Sequence, residues 1–239
     1  AHGALFSTAG RPYRVSDEVR RASADIRRCD DFLSGSRVVS QIAVHMSSVA
    51  ENNLCSAPMV KGFHYKKTLT DCFHAPLRHY NVDLIDTPHP LDGYRVVFSP
   101  FLTTIDENLQ DRIEAWVRAG GTWIVGPMSG FLTEDTSKFA DSPYPFVERM
   151  AGVWTKYQKP IGNDVWRAVW QDGSPLGISL CYDAYEPTDS TPLATYQGDE
   201  FDGLAVLTER RLGAGRVILL GSLPDAAAIR RLTGLPPIA

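Results

Sequence analysis

With 239 residues, 44% of them hydrophobic and 22% charged, the chain has the balance of an ordinary globular protein and enough length to bury a real core. Its 24 Lys and Arg against 28 Asp and Glu leave a net charge of −4, which excludes the basic footprint of a nucleic-acid or anionic-membrane partner. No apolar run approaches the roughly 20 residues needed to span a bilayer. The N-terminus has neither a basic segment nor a long apolar one, so no intact signal peptide is expected. Cys29, Cys55, Cys72 and Cys181 are widely spaced and include no Cys-x-x-Cys pair. They read as reduced thiols of a cytoplasmic protein rather than a zinc ribbon or a disulfide framework.

In chain order, Ser16 is a candidate helix cap, with Asp17 and Glu18 in the positively polarised first turn. Val19, Ala22, Ile26, Cys29 and Leu33 then recur at three- and four-residue steps, which predicts a helix over 16–33 with one apolar stripe packed on the domain. Val38–Met46 reads as a buried strand. A loop with Asn52, Asn53 and Pro58 follows, then a weaker helix near Tyr65–Arg78 that Pro76 kinks or ends. Val82–Asp86 and Tyr94–Ser99 are further strands, Ile105–Ala119 the clearest helix, and Thr122–Gly126 a fourth strand. This alternation predicts an α/β fold with a doubly wound, mostly parallel sheet and helices on both faces. After Pro145 come a short helix near Phe146–Ala151 and segments that alternate and turn often around Trp154, Trp166 and Trp170. Leu204–Arg211 and Arg216–Leu220 predict a C-terminal β-hairpin, and Asp225–Leu232 a final helix.

The stretch Gly-Gly-Thr-Trp-Ile-Val-Gly-Pro-Met-Ser-Gly (120–130) runs a short apolar strand into a glycine-bracketed turn. Many α/β enzymes lift a nucleophile above the sheet on such a turn. Here Gly126 and Gly130 bracket Met128 and Ser129, and a thioether at 128 cannot attack a carbonyl. Met128 fits either a ligand pocket or a gap in the core, with packing favoured. Gly213-Ala214-Gly215 lacks the third glycine and following helix of a dinucleotide fingerprint and reads as a hairpin turn. Cys72 and His74 do not share a helical face, so with His64 and His79 they read as structural residues rather than a metal site or dyad. Asp141, Glu148, Asp183 and Glu186 show no spacing that selects a catalytic pair, and read as solvated loop charge. Trp154, Trp166 and Trp170, with Tyr182 nearby, are candidates for an interface anchor or a sugar platform, with core packing at least as good a reading.

Two regions carry a resemblance. The tail Leu-Ala-Thr-Tyr-Gln-Gly-Asp-Glu-Phe-Asp-Gly-Leu-Ala-Val-Leu-Thr-Glu-Arg-Arg-Leu-Gly-Ala-Gly-Arg-Val-Ile-Leu-Leu-Gly-Ser-Leu-Pro (193–224), together with 120–130 and its preceding helix, resembles the closing segment of glycoside hydrolase family 42 β-galactosidases. His2-Gly3-Ala4-Leu5, Gly10-Arg11-Pro12 and the helix at 16–33 resemble the end of that family's catalytic barrel. The resemblance implies that residues 1–37 are a barrel remnant and 38–239 a flavodoxin-like trimerisation domain, similar in fold to class I glutamine amidotransferases. Those amidotransferases carry Cys in the elbow where this chain has Met128, so their chemistry is not expected here.

A retaining glycosidase needs two carboxylates about 5–5.5 Å apart. In the family these are glutamates at barrel strand ends, the acid/base following an Asn. This sequence has no Asn-Glu dipeptide, and too little precedes Val38 for a barrel of roughly 250 residues. The family's cysteine metal cluster also lies in the barrel and has no counterpart here. The expectation is therefore a non-catalytic assembly domain with no catalytic residue, metal or cofactor of its own. Its expected partners are copies of itself, as a trimer in the parent, and a missing catalytic barrel, with no nucleic acid and no membrane. The alternatives are a free-standing amidotransferase-like enzyme, or a small-molecule or sugar-binding domain using the pocket above Gly126–Gly130 or the tryptophans.

Overall fold

The computed structural model of the protein describes residues 5–56, 63–160 and 166–237. Pro58 of the expected loop lies outside them. The chain divides into two compact units, Ala1–Val39 and Ser40–Ala239.

In the first unit, α1 (Arg14–Arg28) is followed by α2 (Asp30–Leu33), with Cys29 between them off the helical geometry. Ser16 is not the cap: the helix begins earlier, after Tyr13, and the buried Ser16 hydroxyl donates to the Leu5 carbonyl. The apolar stripe of the helix is not covered within this unit. Val19 is 40%, Ile26 61% and Leu33 44% exposed, so helical periodicity located the stripe without supplying a surface to cover it.

The second unit begins with β1 (Ile42–His45) and α3 (Ser48–Ser56). This helix replaces the expected loop. Its apolar pattern is weak, but the Ser47 hydroxyl accepts from the Ala50 N–H at 3.2 Å and caps it. α4 (Tyr65–Leu69) runs on through a π-helical turn, Thr70–His74, into a 3-10 turn, Ala75–Leu77. Pro76 sits in that last turn, where its missing N–H does least harm. β2 (Val82–Ile85), β3 (Val96–Ser99), α5 (Glu107–Arg118), β4 (Thr122–Val125) and α6 (Pro145–Ala151) follow. Next come β5 (Val153–Pro160), β6 (Arg167–Trp170), β7 (Pro175–Leu176), β8 (Ile178–Ser179), β9 (Cys181–Pro187) and β10 (Thr191–Gln197). The unit closes with the hairpin β11 (Ala205–Leu212) and β12 (Gly215–Leu220), β13 (Leu223–Pro224) and α7 (Ala226–Thr233).

One mixed sheet runs β2-β1-β3-β4-β12-β11-β10-β6-β7, while β9 joins β11 and also pairs with β5. The first five strands are parallel, in the 2-1-3-4-5 order of doubly wound, flavodoxin-like sheets. The predicted hairpin is present, and its second strand lies parallel to β4, completing that half.

Alternation along the parallel strands builds both cores. Ile42, Val44, Val96, Phe98, Ile124 and Ile218 face α3, α4, Phe73, Leu77 and Ile229 of α7. Ala43, Val97, Trp123, Val125, Val217 and Leu219 face Leu109, Ile113 and Val117 of α5 and Phe146, Val147 and Met150 of α6. Burial of each large apolar side chain stabilises by about 1.5–3 kcal/mol, so both faces contribute heavily. Among the described residues no helix is long and apolar enough to cross a membrane.

Candidate functional site

The glycine-bracketed turn forms as expected at the C-terminal end of β4. Gly126 has φ 89° and a cis bond to Pro127, Met128 has φ 55° and Gly130 φ 73°. A Cβ on Gly126 would lie 2.3 Å from the Leu220 carbonyl of β12, so only glycine fits between the two strands. Left-handed geometry is strained for a methionine and persists only where the surroundings over-determine it. Here the Phe101 N–H donates to the Pro127 carbonyl at 2.9 Å, and the Gly130 N–H to the Leu102 carbonyl at 2.8 Å. Ser129 completes the lock: its hydroxyl donates to the Ser99 carbonyl at 2.6 Å and accepts from the Leu102 N–H at 3.1 Å. Phe101, after β3, is itself buried at φ 53°.

Met128 is buried and also lines a cavity of about 210 Å³, with Phe131, Lys138, Tyr144, Gln158, Lys159, Cys181 and Asp183. β9 forms one wall because it pairs with β11 at Tyr185–Ala205, beyond the Leu207–Leu220 pair that ends the β11–β12 ladder. The Asp183 N–H then reaches the Gly221 carbonyl at 2.7 Å. A Cβ on Gly221 would sit 2.3 Å from the Asp183 carbonyl, so this approach also requires glycine.

Asp183 corrects the reading of its carboxylate as solvated charge: it is 3% exposed. Tyr144 donates to its Oδ2 at 2.6 Å. Burial raises the carboxyl to about 7, against hydrogen bonds from Tyr144 and Tyr185 and the charge of Lys138. The same burial, with Asp183 beside it, pushes the Cys181 thiol up, the opposite of an activated thiolate. The local signal for this Asp was its place in Cys-Tyr-Asp-Ala-Tyr (181–185), where every neighbour suits a core.

A second polar cluster lies at the ends of β1 and β3. His45 is fully buried and its Nδ1 is 2.8 Å from the Ser99 hydroxyl, which also accepts from Trp123 Nε1 at 2.8 Å. An indole N–H only donates, so the Ser99 oxygen is the acceptor from Trp123, and the second ring nitrogen of His45 is Nε2. That nitrogen is buried with no hydrogen-bond partner among the described residues. Burial, then the charges of Arg112 and His89, lowers His45 to about 4.

Of the aromatic candidates, Trp166 and Tyr182 meet in the core with ring centroids 5.7 Å apart. Trp166 is buried, stacked on Phe201 at 4.5 Å with the Lys159 ammonium over its ring at 4.6 Å. Trp170 is buried under the Arg231 guanidinium at 4.1 Å, and Tyr182 is also buried. Trp154, on β5, is 62% exposed, and Tyr157 on the same strand 49%.

Residues 40–235 match the model of the beta-galactosidase trimerisation domain. The chain is 29% identical over 233 residues to beta-galactosidase YesZ of Bacillus subtilis, covering 94% of this chain and 34% of that protein. It is 31% identical over 179 residues to beta-galactosidase BglY of Alicyclobacillus acidocaldarius, covering 71% of this chain and 26% of that one. The fold is similar to the crystal structure of a beta-galactosidase from Bacillus circulans sp. alkalophilus, with TM-score 0.81 and 20% identity over 99% of this chain and 37% of that one. The chain thus spans about a third of the length of the relatives it matches end to end. With a match that takes in both the parallel half and the antiparallel extension, the chain belongs to the beta-galactosidase trimerisation domain family.

Proposed function

We propose that residues 38–239 are the non-catalytic assembly domain of a β-galactosidase-like glycoside hydrolase, holding protomers in a trimer beside a catalytic barrel. The match over residues 40–235 carries this reading. The elbow supports it, since Met128 stands where a nucleophile would, the Ser129 hydroxyl is engaged on both sides, and the Cys181 thiol is kept protonated. An amidotransferase-like enzyme would need an activated nucleophile at that turn. The relatives are named beta-galactosidases, so the parent reaction is hydrolysis of terminal β-galactosides, with both glutamates on the barrel. Residues 1–37 are the end of that barrel, and the exposed stripe of α1 is the face a barrel would cover. On β5, which pairs only with β9 among the described residues, Trp154 and Tyr157 are the interface anchors of a ring whose two contacting patches differ.

Sedimentation of the chain with and without an N-terminal family 42 barrel tests this. The expected result is a trimer with the barrel and a monomer or weak oligomer without it. A strict monomer in both forms overturns the reading.

A further inference from the structure

We propose that the cavity between the elbow and β9 is a binding site for one small, neutral, polyhydroxylated molecule of the size of a single sugar ring. Its volume of about 210 Å³ lies well above the roughly 10–15 Å³ that one water requires. It lies below the roughly 300 Å³ at which pockets for drug-sized ligands begin, which leaves room for one ring and excludes an oligosaccharide or a nucleotide.

The walls select the chemistry. Lys138 brings a positive charge, Lys159 another that is paired with Glu200 at 3.1 Å, and Asp183 a buried carboxyl. An anion held by the lysines would be set against Asp183, and a cation held by Asp183 would be set against Lys138. A neutral polyol avoids both conflicts, because each hydroxyl can donate to a carboxylate and accept from an ammonium or the Gln158 amide. Protonated or not, the Asp183 carboxyl has hydrogen-bonding positions beyond those that Tyr144 and Tyr185 occupy. Between these polar groups the Phe131 ring and the Met128 thioether give an apolar wall for C–H groups, with Tyr144 meeting Phe131 edge-on at 6.5 Å. The inference concerns ligand binding and stands whether or not the domain assembles a trimer.

Saturation-transfer NMR on the purified chain with D-galactose as probe tests it, with D-galacturonate and D-galactosamine as the anionic and cationic versions of the same ring. The expected result is saturable galactose binding with a dissociation constant on the order of 1 mM, as suits so few contacts. Both charged rings should bind more weakly. Asp183→Asn, which keeps the side-chain shape, and Gln158→Leu, on the edge strand, should each weaken galactose about tenfold, the loss of one good hydrogen bond to a partly buried group. Thermal melts identify a misfolded variant, in which case the other decides. No saturable signal from galactose, tighter binding of either charged ring, or affinity unchanged in the folded variants would each overturn the proposal.

Discussion

Met128 combines a backbone angle that L-residues avoid with a side chain that is 5% exposed. Left-handed geometry costs roughly 1–2 kcal/mol, while burying a methionine stabilises by about 1.5–3 kcal/mol. Met128→Gly should therefore be net destabilising despite relieving the strain, and Met128→Leu, nearly volume-conserving, should cost less than about 1.5 kcal/mol. Urea titration of both variants checks this, and a Gly variant as stable as wild type would show the packing to be loose. Met128→Cys should yield no glutaminase, because a base and oxyanion donors must also be placed for a thiol there to act.

Asp183 and His45 give opposite pH signatures. The Asp183 carboxyl is raised from 3.8 to about 7, so between those values the unfolded chain has lost a proton that the folded chain retains. Its contribution to stability therefore falls as pH rises through that window, by up to ~1.4 kcal/mol per unit. His45 is lowered from 6.5 to about 4. The unfolded chain gains a proton there that the folded chain refuses, so stability falls as pH drops through that range. The two slopes oppose each other over their shared span and partly hide one another in the wild type. Relative to wild type, Asp183→Asn should gain stability steadily as pH rises from 4 to 7. A pH-independent difference between the two proteins would mean that Asp183 titrates normally in the fold.

At the scale of elements, two helices owe their start to one aspartate each. Asp106 accepts from the Leu109 N–H at 2.7 Å at the head of α5. Asp225 caps α7 through the Ala228 N–H at 2.9 Å and also accepts from the Gly177 N–H at 3.1 Å. Asp106→Ala should cost about 1 kcal/mol, and Asp225→Ala more, since it also frees a donor next to β8. Equal losses on thermal melting would mean the Gly177 bond contributes nothing. α1 behaves differently: Ile26→Asp falls on a 61% exposed position and should change stability by no more than about 0.5 kcal/mol. The strands of the parallel half were legible because each is a short apolar run between turn signals. Those of the antiparallel extension outside the hairpin were not. β5 carries a bulge at Thr155–Tyr157 that breaks its alternation, and β9 is buried from Cys181 to Tyr185, which erases the alternation altogether.

For the whole molecule, the two carboxylates of a retaining glycosidase are not expected within this chain. The purified protein should therefore not hydrolyse a nitrophenyl galactoside, and a rate that persists through repurification would refute this. In dilute solution it should sediment as a monomer or weak oligomer. A tight trimer at nanomolar concentration would show that this domain alone suffices for assembly. The sequence by itself determined the strands of the parallel half and most of their helices, the doubly wound class, the hairpin, and an elbow with methionine in place of a nucleophile. These are local properties, written in periodicity, turn residues and side-chain chemistry. Only the tertiary structure decided that β9 crosses beyond the end of β12, that Asp183 is thereby buried beside Met128, that Trp166 and Trp170 belong to the core, and that the stripe of α1 is exposed. Each of these depends on which distant segments meet, and a side chain's environment is set by the surface folded against it rather than by its neighbours along the chain.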